Sequence, residues 1–367
     1  MNNLSNKKNV CFFLFGLGKL AGTERATLGV VNSLCDSYNI YIYSNVSRED
    51  VHYFLDERVN LINLNVENVK RDYFKLLNVL LNSLKYHKID IFVCVESLSF
   101  LYLNPILTFF NFGKRNKMKI VVWEHFNFTV NLGLKSRDLA RRLALKRSDA
   151  VVVLTARDRE LWMQNPRVSA KIVNISNPSP FAISVNAYAR NSKQIIAIGR
   201  YTFQKGFDKL IAIWEDFVKK YNCLDWDLKI IGEGEDKESL QNQINKSGLK
   251  NIKLVPSTNN IGEYYKTSSF LVMTSRFEGL PMTLIEAQSY GLPIIAYDCL
   301  TGPAEVINRD NGFLVKDDDS EAFSVALNTL ISDEALRVSF SNESKSNAEK
   351  FLPQEIAKKW IGFLNDL

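Results

Sequence analysis

S-R-F-E-G-L-P-M-T-L-I-E-A-Q-S-Y-G-L-P-I-I-A-Y-D-C-L-T-G-P-A-E-V-I, residues 275–307, sets two carboxylates, Glu278 and Glu286, eight positions apart across a Gly-Leu-Pro turn. Eight positions are slightly more than two helical turns, but Gly279 and Pro281 interrupt the first part of the interval. Glu278 is therefore expected on a loop and Glu286 about one turn into an apolar-faced helix. Carboxylates at two heights of one pocket wall can accept hydrogen bonds from ribose and sugar hydroxyls. The free N–H groups around Pro281 to Thr283, at the start of that helix, can receive an anion. Hydroxyl acceptors beside diphosphate donors are what a sugar nucleotide requires.

Outward from this stretch, the second half of the chain alternates strand and helix patterns. Gln194–Ile198, Leu228–Ile231, Ile252–Val255, Phe270–Thr274 and Pro293–Ala296 read as strands, with helices to about Tyr221 and Lys246. The first half has the same rhythm: strands at Val10–Phe15, Ile40–Tyr43, Val59–Leu64, Ile89–Val95, Lys119–Trp123 and Ala150–Leu154, with helices near 22–34 and 73–86 and a basic one after Trp123. Alternation of this kind implies parallel sheets with crossover helices. The run N-I-S-N-P-S-P-F, residues 174–181, breaks the pattern as a linker. The domains expected are 1–178 and 179–350, two Rossmann-like α/β domains, followed by a helix over 351–367. In open α/β sheets ligands bind outside the carboxyl ends of strands, and the candidate motifs all follow expected strands.

Gly199-Arg200 and Lys205-Gly206 follow one such strand. Arg is a planar multi-donor fork and Lys a compact mobile charge, a pair suited to neutralising a departing diphosphate. Gly232-Glu233-Gly234 permits a tight strand-to-helix turn. The segment from Ser275 resembles the Glu-x7-Glu signature of retaining glycosyltransferases of family 4, a large family of GT-B fold. Its tail, through T-G-P-A-E-V-I and N-G-F-L-V to Val315, continues that pattern, as does G-R…K-G-F-D-x-L-I. The resemblance implies two Rossmann-like domains facing across a cleft, with the first binding the acceptor and the second the nucleotide sugar. It implies that the last helix crosses back to the first domain. It implies Arg200 and Lys205 on the donor diphosphate, Glu286 on the ribose and Glu278 orienting the sugar at the reacting centre. Gly199, Glu233, Gly279, Leu280, Pro281 and Met282 would complete the donor site, with Glu233 near the base.

Two features of the first half join this set. The loop Gly16–Arg25 lacks the third Gly of G-x-G-x-x-G, and the resemblance instead aligns it with a Gly-Gly-x-Glu-Arg segment that approaches the donor phosphates. Ala21 stands where the first Gly is usual, while Gly22 retains the second. Trp123-Glu124-His125 ends a strand, and the family often has a His there, pointing at the transferred sugar. His125 would bind a sugar hydroxyl or stabilise developing charge, or serve only as a structural hydrogen-bonding residue.

Composition sets the remaining bounds. The chain has 367 residues, 46% of them hydrophobic, enough for two domains. Five scattered cysteines, Cys11, Cys35, Cys94, Cys223 and Cys299, show no metal-ligand spacing and read as thiols of a reducing compartment. The apolar run at Val10–Phe15 is too short for a signal peptide core and reads as a first strand, and no stretch is long enough to span a bilayer. A net charge of +6 is no nucleic-acid signature. Lys135, Arg137, Arg141, Arg142, Lys146 and Arg147 nonetheless crowd onto a helix with Leu134, Leu139, Leu143 and Leu145, a pattern that fits either an anionic membrane surface or a solvated face. Asp317–Asp319 reads as a helix cap and Asp225-Trp226-Asp227 lies before a strand, so no metal is expected, in keeping with the family's use of Arg, Lys and helix N-termini. A nicotinamide oxidoreductase is disfavoured, because Tyr38–Tyr43 holds no acidic residue for a ribose. A non-catalytic membrane scaffold on the same fold is the other alternative.

The expectation is a metal-independent hexosyltransferase of the EC 2.4 class. It would move a hexose or N-acetylhexosamine from a nucleotide diphosphate sugar, UDP-linked by preference, to a glycan or lipid-linked glycan in lipopolysaccharide or capsule assembly. Its place would be the cytoplasm, with peripheral contact at the inner face of the membrane.

Overall fold

The computed structural model describes residues 7–18, 21–66, 68–69, 71–166 and 168–367. Residues 1–6 of the amino-terminal segment, and Lys19 and Leu20 of the Gly16–Arg25 loop, lie outside them. The chain divides into two units, the first ending at Pro180 and resuming from Pro353 to Leu367, the second Phe181–Leu352.

The first unit runs β1 (Asn9–Phe13), α1 (Gly22–Leu34), β2 (Asn39–Ser44), β3 (Asn60–Asn63), α2 (Tyr73–Tyr86), β4 (Ile91–Val95), α3 (Ser97–Asn111), β5 (Lys119–Trp123), α4 (Lys135–Arg147), β6 (Ala150–Val153), α5 (Ala156–Met163) and β7 (Lys171–Asn174). The sheet order is β3-β2-β1-β4-β5-β6-β7, with every pairing parallel. Its central strands are continuous apolar runs: Ile91–Val95 and Ala150–Val153 are buried throughout, as a parallel sheet covered on both faces requires. The order reverses between β1 and β4, so the crevice of this sheet lies beyond Phe13 and Val95.

Helix α3 has no counterpart in the sequence reading. Its sequence, S-L-S-F-L-Y-L-N-P-I-L-T-F-F-N, is apolar on nearly every side and carries Pro105 in its interior. Periodicity cannot reveal a helix without a polar face, and Pro argues locally against one.

The second unit contains β8 (Gln194–Ile198), α6 (Phe207–Tyr221), β9 (Asp227–Ile231), α7 (Lys237–Ser247), β10 (Ile252–Val255), α8 (Ile261–Thr267), β11 (Phe270–Met273), α9 (Met282–Ser289), β12 (Ile294–Asp298), α10 (Pro303–Val306), β13 (Gly312–Lys316), α11 (Ser320–Ser332) and α12 (Glu334–Ala348). Its parallel sheet has the order β10-β9-β8-β11-β12-β13. Helix α6 shows why the sequence folds this way: Phe207, Leu210, Ile211, Ile213, Trp214, Phe217 and Val218 recur at helical spacing and all are buried. Here the order reverses between β8 and β11, whose carboxyl ends lead into Gly199-Arg200 and Ser275–Pro281.

The last helix, α13 (Pro353–Asn365), belongs to the first unit. Trp360, fully buried, packs edge-on against Trp123 at 4.9 Å and Phe12 at 5.9 Å between centroids. The Tyr38 hydroxyl donates to Asn365 Oδ1 at 2.8 Å.

Candidate functional site

In the second unit the carboxyl ends of the switch-point strands carry a connected set of polar side chains. After β8 the chain forms a single 3-10 turn, Phe203–Lys205, and then Gly206 opens α6 with φ +62°. A Cβ at Gly206 would lie 2.2 Å from the Thr274 carbonyl oxygen, so close approach to the end of β11 and a left-handed backbone both demand glycine there. Thr274 Oγ1 donates to the Gly206 carbonyl at 2.9 Å, and the Arg276 N–H donates to the Gln204 carbonyl at 2.8 Å. Arg276 also forms a bidentate pair with Asp208 at 2.8 and 2.6 Å. The two loops are thus stitched together before any ligand is considered.

Across that seam Lys205 Nζ donates to Glu278 Oε1 at 2.7 Å, and Gln204 Nε2 donates to Glu278 Oε2 at 3.3 Å and to the Phe277 carbonyl at 3.0 Å. The Lys205 stem lies along Gly199, where an added Cβ would sit 3.0 Å from Lys205 Cε. Glu278 is buried, and its own carbonyl accepts the Thr301 hydroxyl at 2.6 Å. Gly302, with φ +101°, tucks beneath it: a Cβ there would meet Pro281 Cδ at 2.7 Å and Glu278 Cβ at 3.2 Å. Helix α9 begins at Met282 after Pro281 and has no side-chain cap, so its first N–H groups are open to an acceptor. Glu286, in the second turn, is buried, and the Tyr265 hydroxyl donates to its Oε2 at 2.9 Å. Leu280 is buried, while Gly279 and Met282 are half-buried.

Arg200 and Glu233 lie at the same end of the sheet. Both are exposed, and the Glu233 carbonyl accepts the Tyr201 N–H at 2.7 Å. The structure therefore brings Lys205 and Glu278 into direct contact and leaves Arg200 presented to solvent. Gln204, Tyr265 and Thr301 are three positioning residues that the sequence reading missed. Only Thr301 carried a signal, as part of the T-G-P segment.

In the first unit His125 is buried, its ring tilted against Trp123 at 4.5 Å, and Nε2 has no hydrogen-bond partner among the described residues. Burial pushes its pKa down to about 3. The imidazole is neutral at physiological pH, so either expected role, binding a sugar hydroxyl or stabilising developing charge, would be exerted through hydrogen bonding by the neutral ring. Gly22 starts α1 in open space, with nothing within 4 Å of an added Cβ, and Ala21 has an ordinary extended backbone at φ −126°. The unit's own packing does not call for glycine there.

On the basic helix two of the six cations turn inward. Arg137 and Arg141 are buried, as is Leu145. Arg141 lies 3.5 Å from Glu124 and donates to the carbonyls of Phe128 and Val130 at 2.8 and 2.7 Å. Arg137 lies 3.7 Å from Glu96 and over the Phe126 ring at 4.3 Å. The Glu124 carboxylate, buried at the end of β5, calls for a cation, and α4 supplies Arg141 to it, while Arg137 faces the half-buried Glu96. Glu96 has φ +67°, unusual for a residue with a Cβ. Burial first, then the Glu124 charge, pushes its carboxyl up to about 7. Glu24, Glu96, Ser99 and Tyr102 line a cavity of about 590 Å³ at the crevice of this sheet.

The acidic clusters have local explanations. Asp319 Oδ1 caps α11 by accepting the Ala322 N–H at 2.9 Å, Asp318 pairs with Lys209, and Asp225 pairs with Lys193. All five cysteines are free and buried. The Cys299 thiol is pushed up to about 12 by burial, with the Glu278 charge adding to it. Among the described residues no helix is long and apolar enough to cross a membrane.

Residues 181–347 match the family described as Glycosyl transferases group 1. The chain is 29% identical over 361 residues to an uncharacterized glycosyltransferase of Haemophilus influenzae, covering 97% of this chain and 100% of the relative. It is 40% identical over 225 residues to the amylovoran biosynthesis glycosyltransferase AmsD of Erwinia amylovora, covering 59% of this chain and 62% of that one. Among solved structures, Anabaena HepE in complex with UDP-glucose superposes with a TM-score of 0.78 at 16% identity, over 98% of this chain and 100% of that chain. At that identity the likeness establishes the fold, which is GT-B.

Proposed function

We propose that this chain, whose residues 181–347 match the group 1 glycosyltransferases, transfers a hexose or N-acetylhexosamine, with retention, from a nucleotide diphosphate sugar to a glycan of a surface polysaccharide. The observation that carries the reading is the Lys205–Glu278 contact at 2.7 Å, set between the ends of the switch-point strands and the open start of α9. An ammonium and a carboxylate held together are two halves of one task. The cation, with Arg200, meets the charge that develops on the departing diphosphate. The carboxylate accepts from a sugar hydroxyl at the reacting end. The N–H groups at the start of α9 add further donors for phosphate, and Glu286, already oriented by Tyr265, accepts from the ribose. Charge neutralisation by Arg, Lys and the helix start takes the place of a metal in this proposal. UDP is the favoured nucleotide because a GT-B neighbour of the same fold holds UDP-glucose. The relation to AmsD, a glycosyltransferase of amylovoran biosynthesis, and to a lipopolysaccharide 1,6-galactosyltransferase of Salmonella typhimurium favours a surface glycan, and a lipid-linked acceptor on the cytoplasmic side of the membrane fits such assembly.

A thermal-shift screen of UDP-, GDP-, ADP- and dTDP-sugars tests the donor, since a ligand stabilises the state that it binds. One nucleotide sugar should raise the midpoint, and Arg200→Ala and Lys205→Ala should each lower its turnover by about 10²–10³-fold. Near-normal turnover by both variants rejects the diphosphate role.

A further inference from the structure

At the end of the first sheet away from its crevice, where the strands begin, α2, α3 and α4 all finish. Three aromatic side chains stand in water there: Tyr86 at the end of α2, 81% exposed, and Phe109 and Phe112 at the end of α3, 67% and 85% exposed. Between α3 and α4 runs a groove of about 450 Å³ whose lining includes Pro105, Phe109, Phe112, Leu143 and Arg147. Around it lie exposed cations: Lys114, Arg115 and Lys117 on the α3–β5 connection, and Lys146 and Arg147 on the last turn of α4. Partial burial first, then the charge of Lys85, lowers the pKa of Lys114, whose ammonium sits 3.0 Å from the centroid of the Phe110 ring. The acids nearby are engaged: Asp90 accepts the Asn9 N–H, and Asp149 accepts the Ile120 N–H and lies 3.5 Å from Lys119.

We infer that this surface, formed by the ends of α2, α3 and α4, docks the protein onto an anionic lipid bilayer. Aromatic rings settle at the level of the headgroups, and exposed Lys and Arg draw the surface to anionic lipid. Either signal alone gives weak attachment, and together they hold. The connection carrying the cations is fixed against the sheet, because Asn111 and Met118 exchange hydrogen bonds at 2.8 and 3.1 Å. Phe112 and the three cations after it are therefore presented together on one short, clipped connection. This surface keeps Lys146 and Arg147 of the basic helix, whereas Arg137 and Arg141 are buried and take no part. It shares no residue with the proposed donor site.

The test is sedimentation of the full chain with vesicles of phosphatidylcholine, alone or with about 30 mol% phosphatidylglycerol, at about 0.1 M salt. Binding is expected only to the anionic vesicles. Phe109→Ser/Phe112→Ser and Lys114→Glu/Arg115→Glu/Lys117→Glu should each lower the partition coefficient about tenfold or more. Lys246→Glu/Lys250→Glu, exposed cations of the second unit, should leave it unchanged, and circular dichroism verifies that each variant is folded. No binding to anionic vesicles overturns the inference, even if the protein is retained on a polyanion such as heparin. So does an equal loss in the second-unit variant, or full binding by both first-unit variants. Donor binding is not part of the readout, so failure here leaves the transferase reading standing, and the converse holds.

Discussion

Replacing Lys205 by Met keeps the aliphatic stem along Gly199 and removes only the ammonium from Glu278. The carboxylate is then left with 6% of its side chain exposed and Gln204 as a weaker donor at 3.3 Å. Removing one partner of a buried pair costs about 3–5 kcal/mol. The Lys205 side chain is 17% exposed and Gln204 remains, so the expected loss is smaller, about 2–3 kcal/mol. For a unit of this size that is about 4–12 °C in the midpoint of the second unit. Glu278→Gln alone should cost about 1 kcal/mol, because the ammonium can turn to water and the amide keeps the Gln204 contact. The double variant buries no unpaired charge and should lose only about 1–2 kcal/mol, less than the two single losses combined. The interaction read from the four proteins is then about 2 kcal/mol. Scanning calorimetry of all four, without ligand, gives each midpoint. If the single losses add to within about 0.5 kcal/mol, or if Lys205→Met shifts the midpoint by less than about 1 °C, the pair is not a coupled, buried unit and the site geometry argued here is wrong.

Two further predictions concern backbone and charge. Gly206→Ala forces a Cβ to 2.2 Å from the Thr274 carbonyl at φ +62°, so the seam that holds Lys205 against Glu278 must open. Turnover should fall by at least tenfold and the second unit should lose about 2 kcal/mol or more, and unchanged turnover would show that the seam does not position Lys205. The Glu96 carboxyl is raised by burial from its ordinary value of 4.5 to about 7, so between those values the folded state holds a proton that the unfolded chain does not. The stability this contributes is complete below about pH 4.5 and is lost as pH rises through about 7. Glu96→Gln should flatten the midpoint of the first unit across that window. A residual slope of the same sign remains from Asp158, also raised by burial to about 7, and an unaltered pH profile in Glu96→Gln would locate the titration elsewhere.

How far the sequence was legible follows from which interactions are local. Gly279 and Pro281 break a helix within a few residues, so a loop for Glu278 and a helix for Glu286 could be read directly, and the single-faced period of α6 was equally plain. Helix α3 was not, because a segment apolar all round gives no moment and Pro105 speaks against it. The basic stripe of α4 was ambiguous for a different reason. A buried arginine and a solvated one look identical in sequence, and the carboxylates that hold Arg137 and Arg141 come from Glu96 and Glu124, brought alongside only when β4 and β5 pair. Burial likewise sets the His125 ring neutral, which the sequence alone does not show. Gln204 and Tyr265 carry no motif at all; each matters because tertiary packing sets its polar atom on a carboxylate already singled out. The same asymmetry explains the outer surface of the first unit. Two of the six cations on α4 are spent on internal acids, and of the four others Lys146 and Arg147 lie in its last turn, on the surface that also carries Lys114, Arg115 and Lys117 and three aromatic rings left in water. Holding that combination exposed is unfavourable for a freely diffusing domain, which is why its covering surface is sought outside the chain and among phospholipids of opposite charge.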